Sequence, residues 1–114
     1  MIRRHIDRWP GAERIAVVAS GSFSLEVGGP KMGWIDQEWV DFVVNCLRQG
    51  KTADLLRRAT TRRMRTAGNT GGELLNWIAL LGTIGRGPTT FIEPDAQPPD
   101  TPRDAHAYAS WKLG

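Results

Sequence analysis

Cysteine is almost missing from this 114-residue chain: Cys46 stands alone, so no internal disulfide can form. Its apolar neighbourhood makes it a small core residue by expectation rather than a nucleophile. Histidine is nearly as scarce, with only His5 and His106. Neither has a second histidine at metal-ligand spacing, and both read as ordinary surface or packing residues. No stretch approaches the roughly 20 apolar residues of a membrane span. Basic residues near the N-terminus are not followed by the apolar run of a signal peptide. With neither export signal nor disulfide, the cytoplasm is the expected location. Net charge is only +3, and the excess is local: Arg57, Arg58, Arg62, Arg63 and Arg65 fall within nine residues. Basic residues without interleaved aromatics are a weak sign of nucleic acid, and a solvated helical face or an intersubunit salt-bridge surface is the better reading.

Tryptophan is abundant instead. Trp9, Trp34, Trp39, Trp77 and Trp111 follow no repeat period. Indole combines a large apolar body with one N–H donor, which suits a core, an interface or a pocket wall.

Periodicity organises the chain. Residues Ile2 to Trp9 read as an amphipathic helix, with Ile2 and Ile6 on one face, stopped by Pro10-Gly11. Residues Arg14 to Ser20 are apolar without alternation, as in a buried central strand of a parallel sheet. A Gly-rich loop follows from Gly21 to Gly33; its glycines do not match a dinucleotide fingerprint. Asp36 is an N-cap for a helix over Gln37 to Arg48, with Gly50 after its end. Short helices are expected at Ala53–Arg58 and Arg62–Ala67. A last clear helix, Gly71 to Leu81, is capped by Asn69 or Thr70. Two glycines in its first turn weaken it by about 1 kcal/mol each relative to alanine, so close packing or a ligand must want bare backbone there.

Beyond Gly82 the chain is Pro/Gly-rich. Only Thr89–Glu93 and His106–Trp111 look extended, each as an edge strand. One strand pair is not independently stable, so the sheet that holds Arg14–Ser20 is expected to lie in residues this chain lacks. The expected fold is α/β: the carboxy-terminal half of a larger single domain, helix-rich with few strands of its own. Residues 1–82 form its body and residues 83–114 a tail.

Glu73 is the first candidate for chemistry. On a helix it shares a face with Asn76, Trp77 and Leu80. Its place in the first turn suits a carboxylate on dipole grounds alone, so solvent exposure without function is the plain alternative.

The run Ala67-Gly68-Asn69-Thr70-Gly71-Gly72-Glu73-Leu74-Leu75-Asn76-Trp77-Ile78-Ala79-Leu80-Leu81-Gly82 resembles the late helix in catalytic (beta) subunits of class III extradiol dioxygenases of the protocatechuate 4,5-dioxygenase type. Trp9-Pro10-Gly11, Arg14 to Gly21 and Gly29-Pro30-Lys31 resemble that family's preceding strand and loop. The resemblance covers residues 9–82, extends more weakly to the tail around Tyr108 to Trp111, and implies the carboxy-terminal part of such an enzyme. It implies non-haem Fe(II), held by two histidines and a glutamate, cleaving a catechol-type ring with dioxygen. Glu73 falls on the glutamate position. Phe23, Ser24, Gly28 and Gly29 would line the substrate side. The family's iron-binding histidines have no counterpart here, which implies that the isolated chain holds no catalytic iron.

The family's acid/base histidine aligns with Leu25, which cannot transfer a proton. Neighbouring Glu26 could, but alternation points it elsewhere. The resemblance therefore leaves two forms open: a divergent enzyme part, or a non-catalytic subunit packing on a catalytic partner in a homo- or hetero-oligomer. A small basic nucleic-acid binder is the third reading.

Overall fold

A computed structural model describes residues 2–85, 91–94 and 107–111. Five α-helices occur in this part: α1 (Ile2–Asp7), α2 (Gln37–Gln49), α3 (Thr52–Arg58), α4 (Thr61–Thr66) and α5 (Leu74–Ile84). A 3-10 turn, Gly71–Glu73, leads into α5. Two short strands, β1 (Phe91–Pro94) and β2 (Ala107–Ser110), pair antiparallel with Phe91 opposite Ser110 and Pro94 opposite Ala107. His106 and the Thr89-Thr90 end of the expected strand lie outside the described residues. The helix-rich character with few strands matches the sequence expectation.

α2 is the spine. Trp39, Val43 and Leu47 recur at four-residue spacing beside Val40 and Val44, and all five are buried. This is the stripe that a helix turns toward a core. Asp36 caps its start by accepting the Trp39 amide at 3.1 Å. Gly50 ends it in the left-handed conformation, φ 69°, which glycine adopts without steric cost. Around α2 the core gathers Leu55 of α3, Met64 of α4, and Leu74, Trp77 and Leu81 of α5. Phe23 enters from the loop, fully buried, its ring edge-on to Trp77 at 5.0 Å. Trp111 also meets Trp77 edge-on, at 6.4 Å.

The arginine cluster divides between two helices, because the chain breaks at Ala59-Thr60 and Thr60 caps α4 through the Arg63 amide. Three of its members are used internally. Arg63 pairs with Asp36 at 2.9 Å and lies over the Trp39 ring. Arg58 lies over Phe42, and Arg57 pairs with Asp54. Asp36 thus ties the start of α2 to α4 as well as capping it. Arg62 and Arg65 are exposed.

Cys46 is buried among these residues. Burial pushes its thiol pKa up, and the nearby Asp54 carboxylate pushes it the same way. A neutral, enclosed thiol is a poor nucleophile. At pH 8 the folded chain is expected to react with a disulfide thiol reagent far more slowly than the same chain in denaturant. Equal rates in the two states would contradict this placement.

One expectation fails. Residues 14–20 form no strand among the described residues, and the segment is largely exposed rather than buried. Val18 is 88% exposed, Ile15 45% and Val17 37%. The physical reason is that a strand exists only as part of a ladder. The described residues supply this run with no neighbouring strand, and the β1–β2 pair is a separate two-stranded sheet.

Candidate functional site

The end of the exposed run meets α5 and the 3-10 turn that leads into it, where three side chains on one face seize three consecutive residues. Asn76 donates from its side-chain amide to the Ser20 carbonyl at 2.8 Å. The Trp77 indole N–H donates to the Gly21 carbonyl at 2.9 Å. The Ser22 amide donates to Glu73 Oε2, also at 2.8 Å. Offsets of three and four bring these side chains to one face, and they satisfy main-chain groups that a neighbouring strand would otherwise pair. Gly21 permits the approach: a Cβ there would lie 2.7 Å from the Glu73 carbonyl oxygen.

A second layer fastens the following loop. Ser22 Oγ lies 2.9 Å from Thr70 Oγ1, and the Thr70 hydroxyl and amide both donate to the Leu25 carbonyl. Ser24 is buried; its hydroxyl donates to the Ala67 carbonyl and accepts the Asp36 amide. Asn69 clamps Val27 as a strand would, accepting its amide at 2.9 Å and donating to its carbonyl at 2.8 Å. Beyond the clamp, the Glu26 amide donates to the Trp34 carbonyl and the Gly33 amide to the Glu26 carbonyl, closing the loop. Gly28, Gly29 and Gly33 all have positive φ, so this turn needs glycine for its backbone.

These contacts locate each candidate. Glu73 is exposed, with Oε2 held by Ser22 and no hydrogen bond to Oε1 among the described residues. Gly72 beside it faces open space, whereas Gly71 is close-packed: a Cβ at Gly71 would meet the Met64 carbonyl at 2.2 Å. Bare backbone is thus required for packing at Gly71 and leaves clear space at Gly72. Phe23 and Ser24 lie behind the loop in the core, and Gly28 and Gly29 form its exposed turn. Leu25 is half-buried with its carbonyl bound to Thr70. Glu26 Oε2 accepts the Asn69 main-chain amide at 2.9 Å. His5 is exposed on α1.

Sequence reasoning missed Ser22 and the clamping roles of Asn69 and Thr70, which it treated as helix caps. Thr70 makes no side-chain cap bond. The available signal was the crowding of short polar side chains at 69–70 opposite a loop with its own main chain to satisfy.

A carboxylate with one oxygen fixed by a backbone N–H and the other open has the orientation that outer-shell hydrogen bonding gives to a metal ligand. It is one donor only. Among the described residues no group of three or more His, Cys, Asp or Glu could hold a metal ion. Glu73 thus offers a single carboxylate donor, and the described residues do not supply a complete metal ligand set. Among them, no helix is long and apolar enough to cross a membrane.

Comparison with known proteins bears on these same residues. The chain is 30% identical over 87 residues to the gallate dioxygenase of Pseudomonas putida, an alignment covering 73% of this chain and 24% of that enzyme. The chain thus spans about a quarter of the curated relative's length. No solved structure matches it. A family model described as the catalytic LigB subunit of aromatic ring-opening dioxygenase matches residues 1–97, a span that contains both Glu73 and the loop it holds, and the chain belongs to that family.

Proposed function

We propose that this chain is the carboxy-terminal part of an extradiol ring-opening dioxygenase of the protocatechuate 4,5- or gallate-cleaving kind, in which Glu73 is one of the ligands to a non-haem Fe(II). The observation carrying this reading is the Glu73 carboxylate itself: Oε2 fixed by the Ser22 amide, Oε1 open, and clear space at Gly72. The mixed histidine–carboxylate Fe(II) sites of oxygenases leave coordination positions open for substrate and dioxygen. In this chain Ser22 orients the carboxylate, Trp77 and Asn76 hold the loop against α5, and Phe23 and Ser24 form the floor beneath that loop. The turn at Gly28-Gly29 presents main chain to the aromatic diol.

The isolated chain is expected to retain no stoichiometric iron after anaerobic loading and desalting, and to open neither gallate nor protocatechuate. One equivalent of retained Fe(II) would contradict a partial ligand set. Glu73 is tested separately by Mn(II), a paramagnetic cation that favours oxygen donors. In the nitrogen-labelled chain, Mn(II) is expected to broaden the amides of Ser22, Gly72 and Glu73, and Glu73→Gln to abolish the effect there. Undisturbed signals at those three residues would remove Glu73 from the iron site.

A second reading rests on Leu25. With leucine here, this loop lacks the imidazole that the family uses to move a proton, and neighbouring Glu26 has Oε2 turned to the Asn69 main-chain amide. The chain would then act as a non-catalytic subunit beside a catalytic partner, in a homo- or hetero-oligomer.

A further inference from the structure

We propose that Thr70 is a positioning residue for Glu73 that acts through Ser22: its hydroxyl accepts the Ser22 hydroxyl proton and so keeps that proton off the carboxylate. Ser22 faces Glu73 twice. Its amide donates to Oε2 at 2.8 Å, and its Oγ lies 3.4 Å from the same oxygen. Ser22 Oγ is also 2.9 Å from Thr70 Oγ1, which in turn lies 3.0 Å from the Leu25 carbonyl oxygen. Two hydroxyl protons are thus shared among three contacts.

A hydroxyl has one proton to give and lone pairs with which to accept. Two orders are open. In the first, Ser22 donates to Thr70 and Thr70 donates to Leu25. In the second, Thr70 donates to Ser22 and Ser22 donates to Glu73. The distances select the first, because both of its bonds are of ordinary hydroxyl length, whereas the second needs one of 3.4 Å. Ser22 is 3% exposed, which leaves solvent little access as a third acceptor. Thr70 makes no side-chain cap to the following turn, and its amide also bonds the Leu25 carbonyl. Its hydroxyl is therefore needed neither to start the helix nor, by itself, to hold the loop.

The consequence falls on Glu73. In the first order Oε2 has one firm donor, a main-chain N–H, and the carboxylate keeps its charge for a cation. A second donor from Ser22 would compete with the cation for that charge, since hydrogen bonds to a carboxylate are roughly twice as strong as neutral ones. The placement of the proton stands on the geometry alone. Its meaning for a metal rests on the iron-ligand reading of Glu73.

The test uses the complete 114-residue chain as Thr70→Val, as Ser22→Ala and as the two combined. Valine keeps the branched shape of threonine without its hydroxyl, and helical circular dichroism should be unchanged in all three. In the metal-free chain, the carboxyl-carbon NMR resonance of Glu73 should move in Thr70→Val, as the Ser22 proton turns to Oε2. It should return in the double variant, which has no such proton to give. Mn(II) affinity, read from the broadening of the Gly72 and Glu73 amides, should fall about threefold or more in Thr70→Val and recover in the double variant. Ser22→Ala alone should leave both readouts near those of the parent, because the main-chain bond persists. Thr70→Ser, which keeps the hydroxyl, should match the parent, and Thr70→Ala, which cannot crowd the loop, should repeat Thr70→Val. A purely structural Thr70 would give losses that the double variant deepens rather than reverses. A Glu73 resonance unmoved in Thr70→Val and Thr70→Ala, or a double variant that fails to recover, overturns the proposal. A resonance that moves and returns, in a parent chain whose amides Mn(II) leaves sharp, would sink the iron-ligand reading and leave the proton placement standing.

Discussion

Replacing Gly68 with alanine is expected to destabilise the chain by about 3 kcal/mol or more. Gly68 has φ 112°, and a Cβ there would sit 2.4 Å from the Leu25 carbonyl oxygen and 2.6 Å from its carbon. Two costs combine. A left-handed backbone costs a non-glycine residue roughly 1–3 kcal/mol. The obstructing atoms are backbone, so no rotamer change relieves the contact, and the loop must move away. That motion strains the bonds from Thr70 to Leu25 and from Asn69 to Val27. Chemical denaturation followed by helical circular dichroism measures the loss. Gly72→Ala is the internal control, because an added Cβ meets nothing within 4 Å there and φ is not positive. It should be neutral or stabilise by about 0.5–1 kcal/mol through helix propensity and a less flexible unfolded chain. A Gly68→Ala loss below about 1 kcal/mol would show that the loop is not held against the 68–70 turn.

Trp77→Ala is the second large expectation, at about 3–5 kcal/mol. The residue is 6% exposed, packs edge-on with both Phe23 and Trp111, and donates its indole N–H to the Gly21 carbonyl. Truncation leaves a cavity at the centre of the aromatic cluster and strips a part-buried carbonyl of its donor. Trp77→Phe separates these effects. It keeps most of the apolar contact and loses the hydrogen bond, for an expected cost of about 1–2 kcal/mol. For a domain whose net stability is roughly 5–15 kcal/mol, the alanine variant lies near the limit of folding at 37 °C. Thermal unfolding of both variants beside the parent chain gives the comparison. Equal losses for Phe and Ala would show that the indole N–H, rather than the packing volume, carries the effect.

Helices were legible where their signals are local. The stripe of α2, its Asp36 cap and the Gly50 stop depend on residues within a few positions of one another, and they stand as read. The break between the two short helices was legible for the same reason, read at Thr60-Thr61 and found at Ala59-Thr60. The run at 14–20 was legible only as a pattern, because burial belongs to neighbours as much as to the strand itself. Its composition describes the environment it is built for, while its exposure among the described residues shows how little of that environment is present. At Glu73, helical spacing correctly grouped Asn76 and Trp77 on its face. It could not show that all three reach Ser20, Gly21 and Ser22, more than fifty residues earlier. Asn69 and Thr70 were misassigned because short polar side chains before a helix serve equally well as caps and as loop clamps.

The bonds from α5 and its leading 3-10 turn to Ser20, Gly21 and Ser22 have an uneven effect on which substitutions the site tolerates. On the helix side the partners are side chains, Glu73, Asn76 and Trp77. On the loop side they are main-chain groups, which nearly every residue type provides. Of the three contacts themselves, the one at Ser20 therefore tolerates most changes of loop residue, whereas Gly21 needs its bare backbone and the helix side needs each of its side chains. The Ser22 amide holds the carboxylate's bearing by a main-chain bond, which a change of side chain at residue 22 leaves in place.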